Sequence, residues 1–183
     1  DNGVVYPFGY GLSYTTFKQT ITEFSASLSE NKVTVTVEVE NTGNVDGRDV
    51  VQIYYSAPYT TFDEQYAIEK PVAVLGAYAK TGIIKAKDKA EITLTMNIDE
   101  MASYCYTRDN GDGTKGCYVL EDGEYVVSAR GDSHTVLDEK TFNINETIWY
   151  DGENIRPSEI AAQSALDDNG EPLGYPAAGA DSE

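Results

Sequence analysis

The nine residues KVTVTVEVE, Lys32 to Glu40, decide the fold class of this chain. Valine occupies every second position, and Lys, Thr or Glu occupies the positions between. Strict alternation with period two predicts a half-buried β-strand, and branched valine side chains suit the pleated surface of a sheet. The segment therefore predicts a strand with one face on a hydrophobic core and the other in water.

Six further segments carry strand signals, and short polar stretches rich in Gly, Asn and Asp separate several of them. Arg48–Ser56 contains the run VVQIYY, which is apolar on both faces and indicates a strand in the middle of a sheet. Seven short strands with no helical periodicity between them predict an all-β fold, a seven-stranded antiparallel β-sandwich. The other five predicted strands lie at Phe17–Leu28, Pro71–Tyr78, Glu91–Met96, Glu124–Arg130 and Phe142–Asn145.

The segment LEDGEY, Leu120 to Tyr125, places Leu120, Gly123 and Tyr125 at the spacing of a tyrosine corner. In that motif the phenol hydroxyl bonds back to the backbone and fixes a crossover between the sheets of a Greek-key sandwich. The alternative is a tyrosine that only begins a strand. The other strand signals favour the corner.

Charge is concentrated at the C-terminal end of the sequence. The chain has 31 acidic and 13 basic residues and a net charge of −18, which argues against nucleic-acid and anionic-membrane partners. Residues 151–183 contain eight acidic residues and one basic residue, Arg156, and three prolines. This composition predicts an irregular acidic linker, with a short helix around Ser158–Leu166 capped by Ser158. The predicted organisation is a junction segment at 1–16, a sandwich at 17–150 and the linker at 151–183.

The string YPFGYGLSYTTF, Tyr6 to Phe17, resembles the junction segment that opens the fibronectin type III-like domain of glycoside hydrolase family 3 enzymes. The similarity continues through Lys70–Tyr78 and Gly123–Tyr125, and it ends near His134. Two stretches are longer than in the resembled family: Tyr59–Ile68 and an extended loop at Ser103–Gly116. The chain continues beyond His134, as in family members whose catalytic barrel follows this domain.

The resemblance implies a fibronectin type III or immunoglobulin-like sandwich that acts as a non-catalytic accessory domain. In the family the catalytic carboxylates come from a barrel and an α/β domain, so no catalytic residue and no cofactor is assigned here. The implied partners are catalytic domains of the same parent chain, a β-glucosidase-like hydrolase, and the sequence leaves its cellular location open. Residues expected to pack between the domains are Tyr6, Phe8, Tyr10, Leu12, Tyr14 and Phe17.

Two other functions are compatible with a sandwich. A carbohydrate-binding module would present aromatic faces to an oligosaccharide, and a cell-surface module would serve as an adhesive spacer. The residues available for sugar binding are Tyr54, Tyr55, Tyr59, Tyr66, Tyr104, Tyr106 and Tyr118.

Two cysteines and one acidic loop lie in the Ser103–Gly116 region or next to it. Cys105 and Cys117 bracket eleven residues, so they form either a disulfide across the base of a hairpin or two free thiols. Asp109 and Asp112 lie in the Gly-rich run DNGDGT and supply oxygens of the kind that calcium binds. Because the distant bidentate Glu of an EF-hand loop is missing, a solvated hairpin tip is favoured. His134, the only histidine, is expected to make surface or interdomain polar contacts.

Overall fold

A computed structural model describes residues 7–9, 11, 13–111, 113–152 and 154–164. One antiparallel sheet contains β1 (Phe17–Ser27), β2 (Lys32–Asn41) and β5 (Lys89–Asn97), with β2 in the middle. The other sheet contains β3 (Val50–Ser56), β4 (Val74–Lys80), β8 (Gly123–Arg130) and β9 (Val136–Ile144) in the order β4-β3-β8-β9. The predicted all-β sandwich is confirmed, because these seven strands are the seven that the sequence pattern predicts.

The core lies between the two sheets and begins with the alternating valines of β2. Val33, Val35, Val37 and Val39 are completely buried, and the residues between them are more accessible. Strand β3 lies between β4 and β8, so its prediction as a central strand is correct. The second sheet supplies buried side chains to the same core, among them Val51, Ile53, Tyr125, Val127, Ala129 and Ile144.

The segment predicted as an extended loop, Ser103–Gly116, is instead most of a β-hairpin. Its strands are β6 (Ser103–Asp109) and β7 (Lys115–Leu120), and β10 (Ile148–Tyr150) pairs with β7 to complete a third small sheet. The physical reason is that this hairpin has its own buried face. Cys105 and Val119 pack with Ile68 in a second hydrophobic cluster, against which Phe62, Tyr66 and Trp149 lie.

Two short helices lie outside the sandwich strands. Helix α1 (Thr61–Tyr66), within the insertion Tyr59–Ile68, begins with a capping box between Thr60 and Asp63. Helix α2 (Pro157–Ser164) begins one residue before the predicted cap, so the assignment of Ser158 as the N-cap is wrong. Proline is favoured at a first helical position because its missing N–H would have no partner there. The predicted end at Leu166 falls outside the described residues.

A carboxylate from the sandwich binds the first turn of α2. Asp99 lies in a short 3-10 turn (Asp99–Met101), and its Oδ2 accepts a hydrogen bond from the Ser158 backbone N–H at 2.7 Å. Its Oδ1 accepts a bond from the Asn31 amide at 2.6 Å. Burial alone would raise the pKa of Asp99, but these hydrogen bonds outweigh it and the pKa lies below the usual value of 3.8. The ionised carboxylate therefore attaches the helix to the sandwich.

Asp151 and Arg156 make two further contacts, both with the β6–β7 hairpin of the third sheet. The Arg108 guanidinium donates to Asp151 Oδ2 at 2.9 and 3.1 Å. The Arg156 guanidinium stacks on the Tyr118 ring, 3.4 Å from its centroid.

The predicted boundaries at 16/17 and 150/151 remain predictions. Neither of the helices in the described ranges has the length and apolar character that crossing a bilayer requires.

Candidate interdomain interface

Phe8 and Gly9 of the junction segment lie against the outer face of the β4-β3-β8-β9 sheet, where Gln52 binds Gly9. Val51 and Ile53 point into the core, so Gln52 and Tyr54 point to the opposite face of β3. Gln52 Nε2 donates to the carbonyls of Gly9 (3.0 Å) and Gly131 (3.3 Å), and its Oε1 accepts from the Tyr54 hydroxyl (3.2 Å). One buried amide thereby joins the junction segment to β3 and to the residue that follows β8.

A second set of contacts surrounds this amide. The Ser133 backbone N–H donates to the Phe8 carbonyl at 2.9 Å, and Arg130 donates to the Ser133 carbonyl at 2.9 Å. The Arg130 guanidinium also lies 5.4 Å from the centroid of the Tyr54 ring. Burial raises the pKa of Tyr54 above 10.0, and the positive charge of Arg130 offsets part of that rise. The Tyr54 phenol is therefore a neutral hydrogen-bond donor at physiological pH.

At this contact the backbone of Gly9 has a conformation that glycine adopts far more readily than any other residue. Its φ is +84°, and a Cβ added there would lie 2.3 Å from Gln52 Oε1. The close approach of the chain to Gln52 depends on the missing side chain. Two residues further along, a Cβ at Gly11 would meet no atom of the described residues within 4 Å, so the constraint is local.

A groove of about 550 Å³ lies beside the bound segment. Large apolar side chains stand exposed along it: Phe8 and Tyr78 are each 69% exposed, and Val50 is also exposed. Tyr14 is fully exposed on the same junction segment. Aromatic rings gathered on one face of a small domain are typical of a surface that another protein surface covers. The charged residues that line the groove are Arg48, Asp49 and Lys80.

The residues predicted to pack between domains divide into three groups. Phe8 and Tyr14 are exposed, whereas Phe17 packs against the sandwich core and lies beside Gly47. Phe17 therefore stabilises the domain to which it belongs. Tyr6, Tyr10 and Leu12 lie outside the described residues.

The sequence pattern did not identify Gln52, Val50 or Tyr78 as part of this face. A polar residue at position 52, in an otherwise apolar central strand, was the available signal for Gln52. A buried side chain of that kind needs hydrogen-bond partners, and here the partners come from the junction segment.

Tyr125 makes the backbone contact that defines a tyrosine corner. Its hydroxyl donates to the Glu121 carbonyl at 3.1 Å, and its ring is buried in the core. Burial raises the pKa of Tyr125 strongly, and the Glu121 carboxylate raises it further. Leu120 is fully buried, and Gly123 has a φ of +136° next to Pro58. The three residues thus lie where the β7–β8 crossover turns.

Beside this turn, a buried ammonium group joins two carboxylates. The Lys70 side chain is only 5% exposed, and its Nζ lies 2.6 Å from Asp63 Oδ1 and also contacts Glu121 Oε2. The same Nζ donates to the Pro58 carbonyl at 2.8 Å, and the Thr60 hydroxyl donates to Glu121 Oε1 at 2.6 Å. These contacts attach the segment that carries α1 to the turn before β8. No sequence pattern indicated this cluster.

In the structure the two cysteines are unbonded thiols, and the choice between a disulfide and free thiols remains a prediction. Cys105 and Cys117 lie directly opposite each other on β6 and β7, and both are buried. The Cys105 sulfur contacts the Thr107 hydroxyl (3.4 Å) and the Tyr66 carbonyl (4.0 Å), which gives it partners other than Cys117. Burial, with a contribution from the Asp151 charge, raises the pKa of Cys117, so its thiolate is disfavoured.

The remaining polar candidates belong to turns. Asp109 Oδ1 accepts a hydrogen bond from the Gly111 N–H at 2.9 Å, and Asp112 lies outside the described residues. Among the described residues, no group of three or more His, Cys, Asp or Glu is arranged to hold a metal. The Asp132 carboxylate accepts bonds from the backbone N–H groups of His134 and Thr135, so its role is in the β8–β9 turn.

Comparison with known proteins identifies relatives of this domain. No family model matches the sequence. β-Glucosidase A of Butyrivibrio fibrisolvens is 38% identical over an alignment 135 residues long. The alignment covers 67% of this chain and 15% of the relative. The β-glucosidase of Kluyveromyces marxianus, solved in complex with glucose, superposes with a TM-score of 0.66 at 29% identity. That match covers 81% of this chain and 16% of the Kluyveromyces marxianus protein.

A third relative agrees with these two. β-Glucosidase 3B of Thermotoga neapolitana, solved with α-D-glucose, superposes with a TM-score of 0.63 at 30% identity, over 81% of this chain and 18% of its own. The chain thus spans about one sixth of the length of the proteins that it matches. By sequence and by fold, the chain belongs to glycoside hydrolase family 3, as a fibronectin type III-like domain of the β-glucosidase kind.

Proposed function

We propose that this domain is a non-catalytic accessory module of a family 3 β-glucosidase that hydrolyses O-glycosidic bonds of β-glucosides. In this role it packs on the catalytic domains of the same chain and holds them in their working arrangement. The observation that carries the proposal is the exposed aromatic face around Phe8 and Tyr78, next to a junction segment that Gln52 binds tightly. Where Phe8 and Gly9 are held on the sheet by hydrogen bonds, the exposed rings offer a neighbouring domain a surface at a reduced cost in conformational entropy.

The distribution of carboxylates supports a non-catalytic role. A retaining glycosidase needs two carboxyl groups about 5–5.5 Å apart beside a sugar site. Asp49 is the acidic residue that lines the groove, and its two oxygens accept bonds from the Gln19 amide and the Val50 N–H. Asp63 and Glu121 share the buried Lys70 and are shielded from solvent. Neither arrangement offers an acid and a nucleophile to a bound sugar.

The test is hydrolysis of an aryl β-glucoside by the 183-residue chain and by the full-length enzyme that carries it. We expect turnover from the full-length enzyme and none above buffer from the 183-residue chain. Heat-denatured chain serves as the blank. Turnover by the folded chain that disappears on Asp49→Asn or Glu121→Gln would overturn the proposal.

A further inference from the structure

A row of three tyrosines lies on the outer face of the β6–β7 hairpin. Tyr104 and Tyr106 are two residues apart on β6, and Tyr118 lies opposite Tyr104 on β7, so the three side chains share one face. The ring centroids of Tyr104 and Tyr106 are 4.9 Å apart, and those of Tyr104 and Tyr118 are 5.1 Å apart. We call this row the tyrosine ladder. Tyr106 is 72% exposed and Tyr104 is also exposed, so the ladder opens to solvent at its Tyr106 end.

Two contacts hold the Tyr118 and Tyr104 rings in place, whereas the Tyr106 ring is open to solvent. Arg156 covers the Tyr118 ring, and a Cβ at Gly116 would lie 2.4 Å from the Tyr104 hydroxyl, so that ring lies directly over the backbone. Two residues beyond Tyr106 on the same strand, Arg108 lies between the Trp149 ring (4.3 Å) and Asp151 (2.9 Å). Side chains fixed in this way lose little conformational freedom when a ligand binds, which favours recognition.

The chemistry of this face fits a neutral sugar chain. Tyrosine combines an apolar ring with a hydroxyl, which matches the C–H faces and the hydroxyl groups of a pyranose. The net charge of −18 disfavours nucleic acids and other polyanions, whereas an uncharged glucan meets no such repulsion. The Tyr104 ring stands nearly edge-on to the rings of Tyr106 and Tyr118, with interplanar angles of 72° and 78°. The ring with the most open face is therefore that of Tyr106, which can stack on one sugar unit.

We propose that the tyrosine ladder of the β6–β7 hairpin is a binding site for a β-linked gluco-oligosaccharide, with Tyr106 as its principal stacking residue. The choice of sugar rests on the proposed function, since the relatives are β-glucosidases. The site would hold a glucan chain outside the catalytic domains and raise its local concentration there. The ladder shares no residue with the groove beside Phe8 and Gln52.

The test is calorimetric titration of the 183-residue chain with cellopentaose and with laminaripentaose. We expect binding of at least one of them, weakened about fivefold or more by Tyr106→Ala, because one aromatic contact is lost. Tyr106→Phe keeps the ring and should retain most of the affinity. The matched controls are Tyr59→Ala and Tyr78→Ala, which remove exposed tyrosines elsewhere and should leave binding unchanged.

Three outcomes would overturn the proposal: no heat of binding with either sugar, equal affinity for Tyr106→Ala and wild type, or equal loss in the Tyr59→Ala and Tyr78→Ala controls. Tyr106 is mostly exposed, so its replacement should not change the thermal midpoint, which is measured in parallel. The outcome is independent of the aryl-glucoside assay. Failure of sugar binding would leave the accessory role intact, and catalysis by the isolated chain would overturn that role alone.

Discussion

Replacing Lys70 with Met should lower the free energy of unfolding by about 3–5 kcal/mol, the loss typical of removing one partner from a buried ion pair. The side chains have similar volume, so the effect is mainly electrostatic. Without the ammonium group, Asp63 and Glu121 would remain buried beside each other with no opposite charge. Urea unfolding of the 183-residue chain, followed by tyrosine and tryptophan fluorescence, measures the change.

The matched control is Lys89→Met. Lys89 also pairs with a carboxylate, Glu38 at 2.8 Å, but its side chain is 51% exposed, and a change of under about 1 kcal/mol is expected. Glu121→Gln in the Lys70→Met background removes one unpaired charge and should recover part of the loss. Equal effects for Lys70→Met and Lys89→Met would show that the buried cluster contributes no special stability.

Gly9→Ala should release the junction segment from the sheet and destabilise the bound arrangement by about 1–3 kcal/mol, the usual cost of a non-glycine residue in strained backbone. The added Cβ would also displace the Gln52 amide, which has three hydrogen bonds and little room to move. The most direct readout is hydrogen exchange at the Ser133 N–H, because its acceptor is the Phe8 carbonyl. That exchange should accelerate, while exchange in the core strand β2 should not.

Gly11→Ala is the control for this experiment. In the part of the chain that the structure describes, a Cβ at position 11 would meet no atom within 4 Å, so Ser133 should exchange as in the wild type. Slow exchange at Ser133 in Gly9→Ala would mean that the segment stays bound without the Gly9 contact.

The sandwich could be predicted from the sequence because its signals are local. Alternating valines in β2 and the doubly apolar run in β3 specify which face is buried without reference to distant residues. The spacing of Leu120, Gly123 and Tyr125 is equally local. The resemblance of Tyr6–Phe17 to the family's junction segment supplied the domain's identity, which periodicity alone does not give.

The features that sequence reasoning missed depend on contacts between distant segments. The Lys70 cluster brings together residues 51 positions apart, and Gln52 reaches both Gly9 and Gly131. The β6–β7 hairpin was mistaken for a loop because its buried face is small and depends on side chains from α1 and β10. The Ser158 cap was wrong for a similar reason, since Asp99 from the sandwich binds that helix turn.

The surface formed by the exposed side chains of Phe8, Tyr14 and Tyr78 is the proposed interdomain interface. Hydroxyl-radical footprinting of the 183-residue chain and of the full-length enzyme tests this proposal most directly. Phe8, Tyr14 and Tyr78 are exposed in the domain alone. Packing against catalytic domains predicts that their modification falls several-fold in the full-length enzyme, while exposed Tyr59, away from this face, is modified equally in both. Equal modification of Phe8, Tyr14 and Tyr78 in the two proteins would contradict the interface.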